Sequence, residues 1–540
     1  MSAGDFFCSE CINRRQFMSG GALLMGGLSI GSRVFSESVL AQERNSGLEF
    51  NPLFAMRLKV RFVIAGLIHD TAHEGPCRTG QLEYLTRQAD MERHLNNFKN
   101  RKEQIKARTF PAEVEILETI DFQMRVKEKD CNFQFPESEM RKVEKDIEEV
   151  DLLVILDGFN GQVGIMLAEK YHKPVATIAY SNPERTKNGG RDYGAWLVDM
   201  TAGLRHKGLE GYLAYDWEEM DRILELLWVK KAFRQSSMLV LTDRYGKTPH
   251  GLGSVFYHFD ALKEMYGMGH EHAPNQALVK QMDSINKDAT ARKRAEEITE
   301  ALVANAEATH VKKEFIRNSV IFYQAVKRLM EAKGCNCFGA ACRELCPLEI
   351  AAQYKVTPCL THTLLKDSGY PSVCQLDFNA LPAMMVFSYR AKKSTYMGNP
   401  EFYSKTGMDE NIVTVWHSVP GIKMKGFKSR SLPYEIRNFT YEGWGPTVKY
   451  DFNRDKNEVV TLGRFDPSFT KMLITKGTIQ SGQGFNLSGC TLGVNVKVCD
   501  AREMFNRQKD FGSHLVMVYG DYVDDVRRLG EMMNFKVVEL

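Results

Sequence analysis

The chain has 540 residues, 71 basic side chains against 68 acidic ones, and 12 cysteines. Charge so evenly balanced, with no basic stripe interleaved with aromatics, excludes nucleic acid as an expected partner. Past the first 41 residues no apolar run approaches the ~20 residues that a membrane helix needs, which excludes an integral membrane class for the mature part.

The first element reads as a leader. Asn13-Arg14-Arg15-Gln16-Phe17-Met18 sets paired arginines before an uncharged stretch from Phe17 to Ile30 rich in Gly, Leu and Met. That stretch is too short and too glycine-rich to span a bilayer stably. Val39-Leu40-Ala41 supplies small residues at a cleavage point before Gln42. We expect a twin-arginine signal peptide over residues 1–41 and a mature protein that is periplasmic or secreted, with no membrane attachment once the signal is cut. The remaining length suggests about three domains at roughly 100–200 residues each.

An apolar run from Leu58 to Gly66 opens the first α/β unit. A charged, helix-patterned segment follows from Gln81 to Lys106, then a strand-like Val114 to Leu117. The run from Asp151 to Gly158 reads as a buried strand broken at glycine. Gln162 to Lys170 is helical in period, and Lys173 to Ala179 is the next strand. Strand, helix and strand in that order imply a parallel sheet with ligand loops at the strand ends. The glycines at 158 and 161 do not form a dinucleotide fingerprint.

A second α/β unit starts near Asp221, with a helix to Ala232 and a strand from Ser237 to Asp243. Residues 276–333 are charged and helical in period, and their charges read as a solvated face. From about residue 385 the pattern changes to short β-rich runs: Asn411 to Trp416, Gly443 to Tyr450 and Glu458 to Gly463. A helix near Asp521–Met533 and a strand Phe535 to Val538 close the chain. The expected fold is α/β: two Rossmann-like or flavodoxin-like domains over 55–220 and 221–384, followed by a β-rich C-terminal domain over 385–540.

Six cysteines crowd into residues 335–374. Cys335-x-Cys337-x4-Cys342-x3-Cys346-Pro347 has the residue types of a metal or iron–sulfur site, but such clusters use tighter, repeated spacings. A twin-arginine substrate folds in the reducing cytoplasm before export, so buried thiols are the expectation.

Three stretches then carry a resemblance to the L-fucose/L-arabinose isomerase group. Thr357-Pro358-Cys359-Leu360, continuing through Gly369-Tyr370-Pro371-Ser372-Val373-Cys374-Gln375-Leu376-Asp377, looks like the segment that enters the isomerase active site. Val415-Trp416-His417-Ser418-Val419-Pro420 looks like the family's His-Cys-Gly-x-x-Pro-type loop. Gly512-Ser513-His514, running on to Gly520-Asp521, looks like its Gly-x-His-His-containing C-terminal segment. They occur in family order across about 335–540, and the preceding α/β segments fit the family's two N-terminal domains.

The resemblance implies aldose–ketose interconversion of a carbohydrate through an enediol. A divalent metal, Mn²⁺ for choice, polarises the sugar oxygens while acid and base groups move a proton between neighbouring carbons. It also implies a homo-oligomer, trimer or hexamer, with pockets shared between subunits. Carried over by position, His514, Gln375 and Asn399 are the expected metal ligands, Asp377 and His417 the catalytic pair, and Trp416, His69 and His73 the substrate-binding groups.

The sequence departs from the family at two of these positions. Gln375 stands where the family has its metal-binding glutamate, and Asn399 near where an aspartate ligand is expected. Amide oxygens coordinate a cation without neutralising it and cannot abstract a proton. Two rival readings therefore stand beside the isomerase: a non-catalytic carbohydrate-binding relative, and a lyase or epimerase using Asp377 and His417 as base and acid. A further carboxylate near His514, from Glu401, Glu435 or Glu442, would separate them. By residue type alone, Asp377 is equally a helix N-cap, His514 a histidine packed at a strand start, and Trp416 a core side chain.

Overall fold

The computed structural model describes residues 48–69, 73–74, 84–85, 87–126, 133–156, 161–179, 194–243, 259–345, 349–401 and 405–540. The twin-arginine leader, the Asp157-Gly158 break and Cys77, Cys131 and Cys346 lie outside the described residues. The protein is mixed α/β and divides into two compact units, residues 55–231 and residues 232–540 with the segment ending at Phe54.

In the 55–231 unit the main elements are β1 (Leu58–His69), α1 (Arg87–Ala107), β2 (Val114–Ile116), β3 (Ile120–Val126), β4 (Leu152–Leu156), α2 (Gly161–Tyr171), β5 (Val175–Ile178), α3 (Gly194–His206), β6 (Gly211–Ala214) and α4 (Trp217–Arg234). β1 is central: Val63 is in parallel register with Ile120 of β3, and Val60 with Leu152 of β4. The order β3-β1-β4-β5-β6 follows, with β2 also on β1 and Phe133–Gln134 adding a short antiparallel edge to β3.

All five side chains of β4 are buried, as a parallel strand covered by helices on both faces demands. The sheet grows one way from β1, then the other, so its switch point lies between β1 and β4. Gly66 serves packing. A Cβ there would meet His94 Nδ1 at 1.9 Å, and its absence lets His94 of α1 reach Asp121 at 2.5 Å.

The second unit begins with β7 (Ser237–Leu241), β8 (Gly269–Ala273), α5 (Asn275–Lys287), α6 (Ala289–Asn305), α7 (Lys313–Ala332), β9 (Cys337–Ala340), α8 (Cys359–Asp367) and β10 (Ser372–Cys374). The sheet is parallel in the order β8-β7-β9-β10, again with a switch point, here between β7 and β9. The charged 276–333 stretch forms α5, α6 and α7. Their apolar faces bury Leu278, Met282, Ile298, Ile316 and Val320, and the Asp288 side chain caps α6 by accepting from Thr290 N and Ala291 N.

After the buried helix α9 (Ala380–Ala391) come β11 (Tyr396–Glu401), β12 (Ile412–His417), β13 (Glu435–Asn438), β14 (Pro446–Lys449), β15 (Val459–Phe465), β16 (Lys471–Gln483), β17 (Leu492–Lys497), α10 (Ala501–Phe511), β18 (Leu515–Tyr519), α11 (Val523–Met533) and β19 (Lys536–Glu539). The β-rich part is more than a set of short runs. Six strands, β15-β18-β11-β12-β17-β16, pair antiparallel in sequence around a ring, and β16 returns to β15, closing a barrel. β19 lies parallel to β16, and β13 and β14 form a small separate sheet with Ala308–Thr309. The strand expected from Gly443 begins at Pro446, because Gly443 and Gly445 adopt positive φ of 85° and 71° and make the turn before it.

The barrel core is apolar, with Val413, Val415, Leu462, Val494 and Met517 buried. Sheet and barrel meet at the start of α9. There Asn379 donates its side-chain amide to Asp466 O at 2.7 Å and accepts from Phe465 N at 3.3 Å through its carbonyl.

Candidate functional site

The site starts where β10 ends. Gln375 and Leu376 both take left-handed backbone, φ 57° and 50°, a conformation that is uncommon for non-glycine residues and costly for a branched one. This turn delivers Asp377 to the foot of α9, where it is 0% exposed. Asp377 Oδ1 accepts from Asn379 N and Ala380 N, both at 3.1 Å, and from Arg464 Nη2 at 3.0 Å. Oδ2 accepts from Arg464 Nη1 and His514 Nδ1, both at 2.7 Å. Arg464 also donates to His514 O at 3.0 Å. Burial alone would raise the Asp377 pKa, but Arg464 and His514 override it and hold the carboxyl below its ordinary value.

Two of the alternatives read for these residues are thus combined. Asp377 accepts from the first amides of α9 although the N-cap residue is Asn379, and His514 is packed at a strand start with a left-handed φ of 60°. The carboxylate has its acceptor sites filled by one guanidinium, one imidazole and two amides, so Asp377 ties α9, Arg464 and His514 together.

His514 is oriented by that bond. With Nδ1 bonded to Asp377 the ring is held in one orientation and Nε2 is the atom left on its far side. His514 Nε2 is buried without a hydrogen-bond partner, as are both ring nitrogens of His417 and Oε1 of Gln375. The rings of His417 and His514 lie 5.3 Å apart at 59°. Burial, then neighbouring His514, Lys366, His362 and Lys449, push the His417 pKa well below its ordinary value, so it is a neutral imidazole. Orphaned buried polar atoms are expected to meet a ligand or ordered water.

Two lysines, which sequence reading missed, bracket His417. Lys366 on α8 donates to Val419 O, two residues past His417, and Thr363 of the same helix donates to Pro420 O at 2.7 Å. Lys449, at the end of β14, donates to Gly489 O and to Thr491 Oγ1, both at 3.0 Å. Leu492, the next residue, is the register partner of His417. Tyr396 OH bridges the two strands, donating to His417 O at 3.3 Å and Leu492 O at 2.6 Å. Burial lowers both lysines to about 8. One turn before Lys366, His362 bonds Ser372 Oγ through Nδ1 at 2.7 Å, and burial pushes it down to about 3. The signal for these residues was present as cations inside otherwise apolar runs, Thr447-Val448-Lys449-Tyr450 and Leu462-Gly463-Arg464-Phe465.

Other expected site residues fall elsewhere. β12 alternates, burying Val413, Val415 and His417 while Ile412, Thr414 and Trp416 stay partly exposed. Asn399 is in register with Trp416, so it shares the outer face of the barrel and not the face of His417. Trp416 Nε1 donates to Glu401 on that outer face. Glu435 pairs with His310 at 2.8 Å and Arg437 at 2.6 Å, and Glu442 accepts from Trp444 Nε1 at 2.9 Å. Those three glutamates are therefore engaged away from His514. His69 ends β1, and His73 pairs with Leu85 in a short strand; both belong to the 55–231 unit, and their side chains lie outside the described ones.

The donor set does not fit a hard dication. It offers the imidazoles of His514 and His417 and the amide oxygen of Gln375, with no free carboxylate beside them. Asn399 faces away, the carboxylate is spent on Arg464, and lysines stand nearby. Among the described residues no three His, Cys, Asp or Glu side chains gather as a metal requires. The cysteine spacing also comes apart in space. Cys335 precedes β9 and Cys342 follows it, so the four-residue strand separates them by about 13 Å. Cys342 instead hydrogen-bonds Cys374, raising its pKa together with burial. Cys335, Cys337, Cys359 and Cys374 are buried thiols, while Cys490 and Cys499 are exposed. Although Cys490 is exposed as a residue, its sulfur is packed closely enough for burial to push it up to about 11.

Compared with known proteins, the chain matches no family model, and no curated protein matches it.

Proposed function

We propose that this chain is an exported sugar isomerase-like protein that holds a carbohydrate between His417, His514 and Gln375 without the carboxylate-bound metal of the group it resembles. The observation that carries the reading is the set of unpartnered buried atoms, His514 Nε2, both nitrogens of His417 and Gln375 Oε1. A polyhydroxylated ligand offers each of them a donor or an acceptor at once. The paired switch points of the two parallel sheets support flavodoxin-like architecture for the α/β parts, and the closed barrel supplies the β-rich part.

If the protein turns its ligand over, His514, oriented by Asp377, is the group placed to exchange a proton with the ligand, because His417, whose pKa burial and its neighbours push well below the ordinary value, is too weak a base to take one from carbon. The commitment of Asp377 to Arg464 favours a second reading, binding without turnover, and weighs against a lyase or epimerase that uses Asp377 as its base.

Titration calorimetry of the mature protein with L-fucose, L-arabinose and their ketoses tests the proposal. We expect binding that His417→Ala removes while the melting curve stays cooperative. Polarimetry on the same mixtures separates turnover from binding. If none of these sugars, nor the sugar acids considered below, binds at millimolar concentration, the carbohydrate reading fails.

A further inference from the structure

Lys449 is the least explained charge in the unit. Its side chain is 0% exposed, and both its hydrogen bonds go to neutral oxygens, Gly489 O and Thr491 Oγ1. Among the described residues no carboxylate forms an ion pair with it. The other buried cations of this unit each have a carboxylate as partner or chain neighbour, Lys327 pairing with Glu331 at 3.3 Å. Arg464 grips Asp377, and Lys366 has the buried carboxylate of Asp367 as its chain neighbour, raising its pKa against the effect of burial. Asp367 is itself held by Ser394 Oγ at 2.6 Å, Ile422 N at 2.9 Å and Lys423 N at 3.0 Å. Groups that could offset Lys449 are thiols, Cys490 of the same loop and Cys359 at the start of α8, and burial raises the Cys490 thiol, which keeps it neutral at physiological pH.

Resting on the carbohydrate reading above, we infer that the ligand of this pocket is a sugar acid whose carboxylate is received by Lys449, its ring hydroxyls facing His417 and His514. An ammonium group has three donors. Two are spent on Gly489 and Thr491, and the third is left for a ligand. A single uncompensated positive charge matches a single carboxylate; a phosphate dianion would need further charged donors to offset its desolvation. The lysine is also within reach of the imidazoles, because it grips the residue that precedes Leu492 and Leu492 pairs with His417. Exposed Cys490, the residue between Gly489 and Thr491, brings that stretch of chain to the surface.

The test uses matched pairs on the whole mature chain at neutral pH: L-fucose against L-fuconate, L-arabinose against L-arabonate, and D-galactose against D-galacturonate, with acetate as an anion lacking the sugar. A charge-assisted hydrogen bond in a buried site predicts about tenfold tighter binding of at least one acid than of its neutral parent. Lys449→Met should bring the members of that pair within about twofold of each other, and Lys449→Arg should keep part of the preference. Equal or tighter binding of the neutral sugars overturns the sugar-acid inference while leaving the carbohydrate reading standing. Binding of acetate as tight as that of the acids overturns it too, since the lysine would then hold any small anion. Failure of every sugar and every acid to bind removes both.

Discussion

Two buried charges in the same compact unit are treated in opposite ways. Asp377 lies at the junction of sheet and barrel with its oxygens matched to Arg464, His514 and two backbone amides. Lys449 lies at the end of β14 with two neutral oxygens and no counter-charge. A saturated ion pair joins elements rigidly and has little left to offer a ligand. An ammonium group buried without a counter-ion is destabilising, and proteins tolerate such strain where binding needs it. On the reading proposed above the first system is scaffold and the second is site, although a reading by motif picks out Asp377 and passes over Lys449.

Substitution by methionine should break this comparison in opposite directions. Arg464→Met leaves the Asp377 carboxylate buried with only His514 to balance it, and we expect a loss of about 3–5 kcal/mol in chemical denaturation near pH 7. The loss should shrink as pH falls toward 4, because the orphaned carboxyl can then fold in its neutral form. In the wild type the sign is reversed. The folded pKa of Asp377 is depressed, so the pair's contribution is present above the unfolded carboxylate pKa and disappears as pH drops through the folded value. Lys449→Met, the smaller effect, should raise stability at pH 7 by about 1–3 kcal/mol. Lys449 titrates at about 8 in the fold against 10.5 outside it. Between those values the unfolded chain binds the extra proton, so wild-type stability rises with pH there, and the variant's advantage should fade across the same window. A destabilised Lys449→Met protein would show that the lysine is scaffold after all.

Much of the architecture is legible in the residues. Apolar runs ending in glycine or loops mark β1, β4 and β7, because parallel strands buried on both faces cannot hide their composition. The charged stretch over 276–333 reads as helix since its apolar residues recur on one face. Barrel closure is not legible. The pairing of β15 with β16 on one side and β18 on the other is a long-range fact that no local period records. The site was half legible for the same reason. His417 and His514 stand out inside recognisable stretches, and their meeting at 5.3 Å joins residues about a hundred positions apart. The resemblance brings Asn399 into the site and Trp416 adjoins His417 in the chain, whereas alternation along β12 turns Trp416 to the opposite face from His417, and Asn399 is its register partner there. Lys449 was missed because a lysine in a β-run ordinarily points to water, and only the packing around it shows otherwise.

The smallest expected effect is also the most direct probe of the site, the protonation of His417. Its neighbours on every side are basic or neutral: His514 across the barrel mouth, Lys366 and His362 from α8, and Lys449 from β14. Asp377 faces His514 but is tied to Arg464, so it does little to restore the charge. Nitrogen NMR of the imidazole ring should therefore find His417 neutral throughout about pH 5 to 8, where an ordinary histidine titrates. Lys449→Met should raise its pKa only slightly, because burial and the nearer His514 outweigh the lysine. A bound carboxylate should raise it more, since the new anion acts against the charged neighbours together. An ordinary titration near pH 6.5 in the free protein would mean that the ring is hydrated or already paired. In that case the uncompensated charge that singles out Lys449 would not be felt at His417, and the two residues would no longer share one ligand.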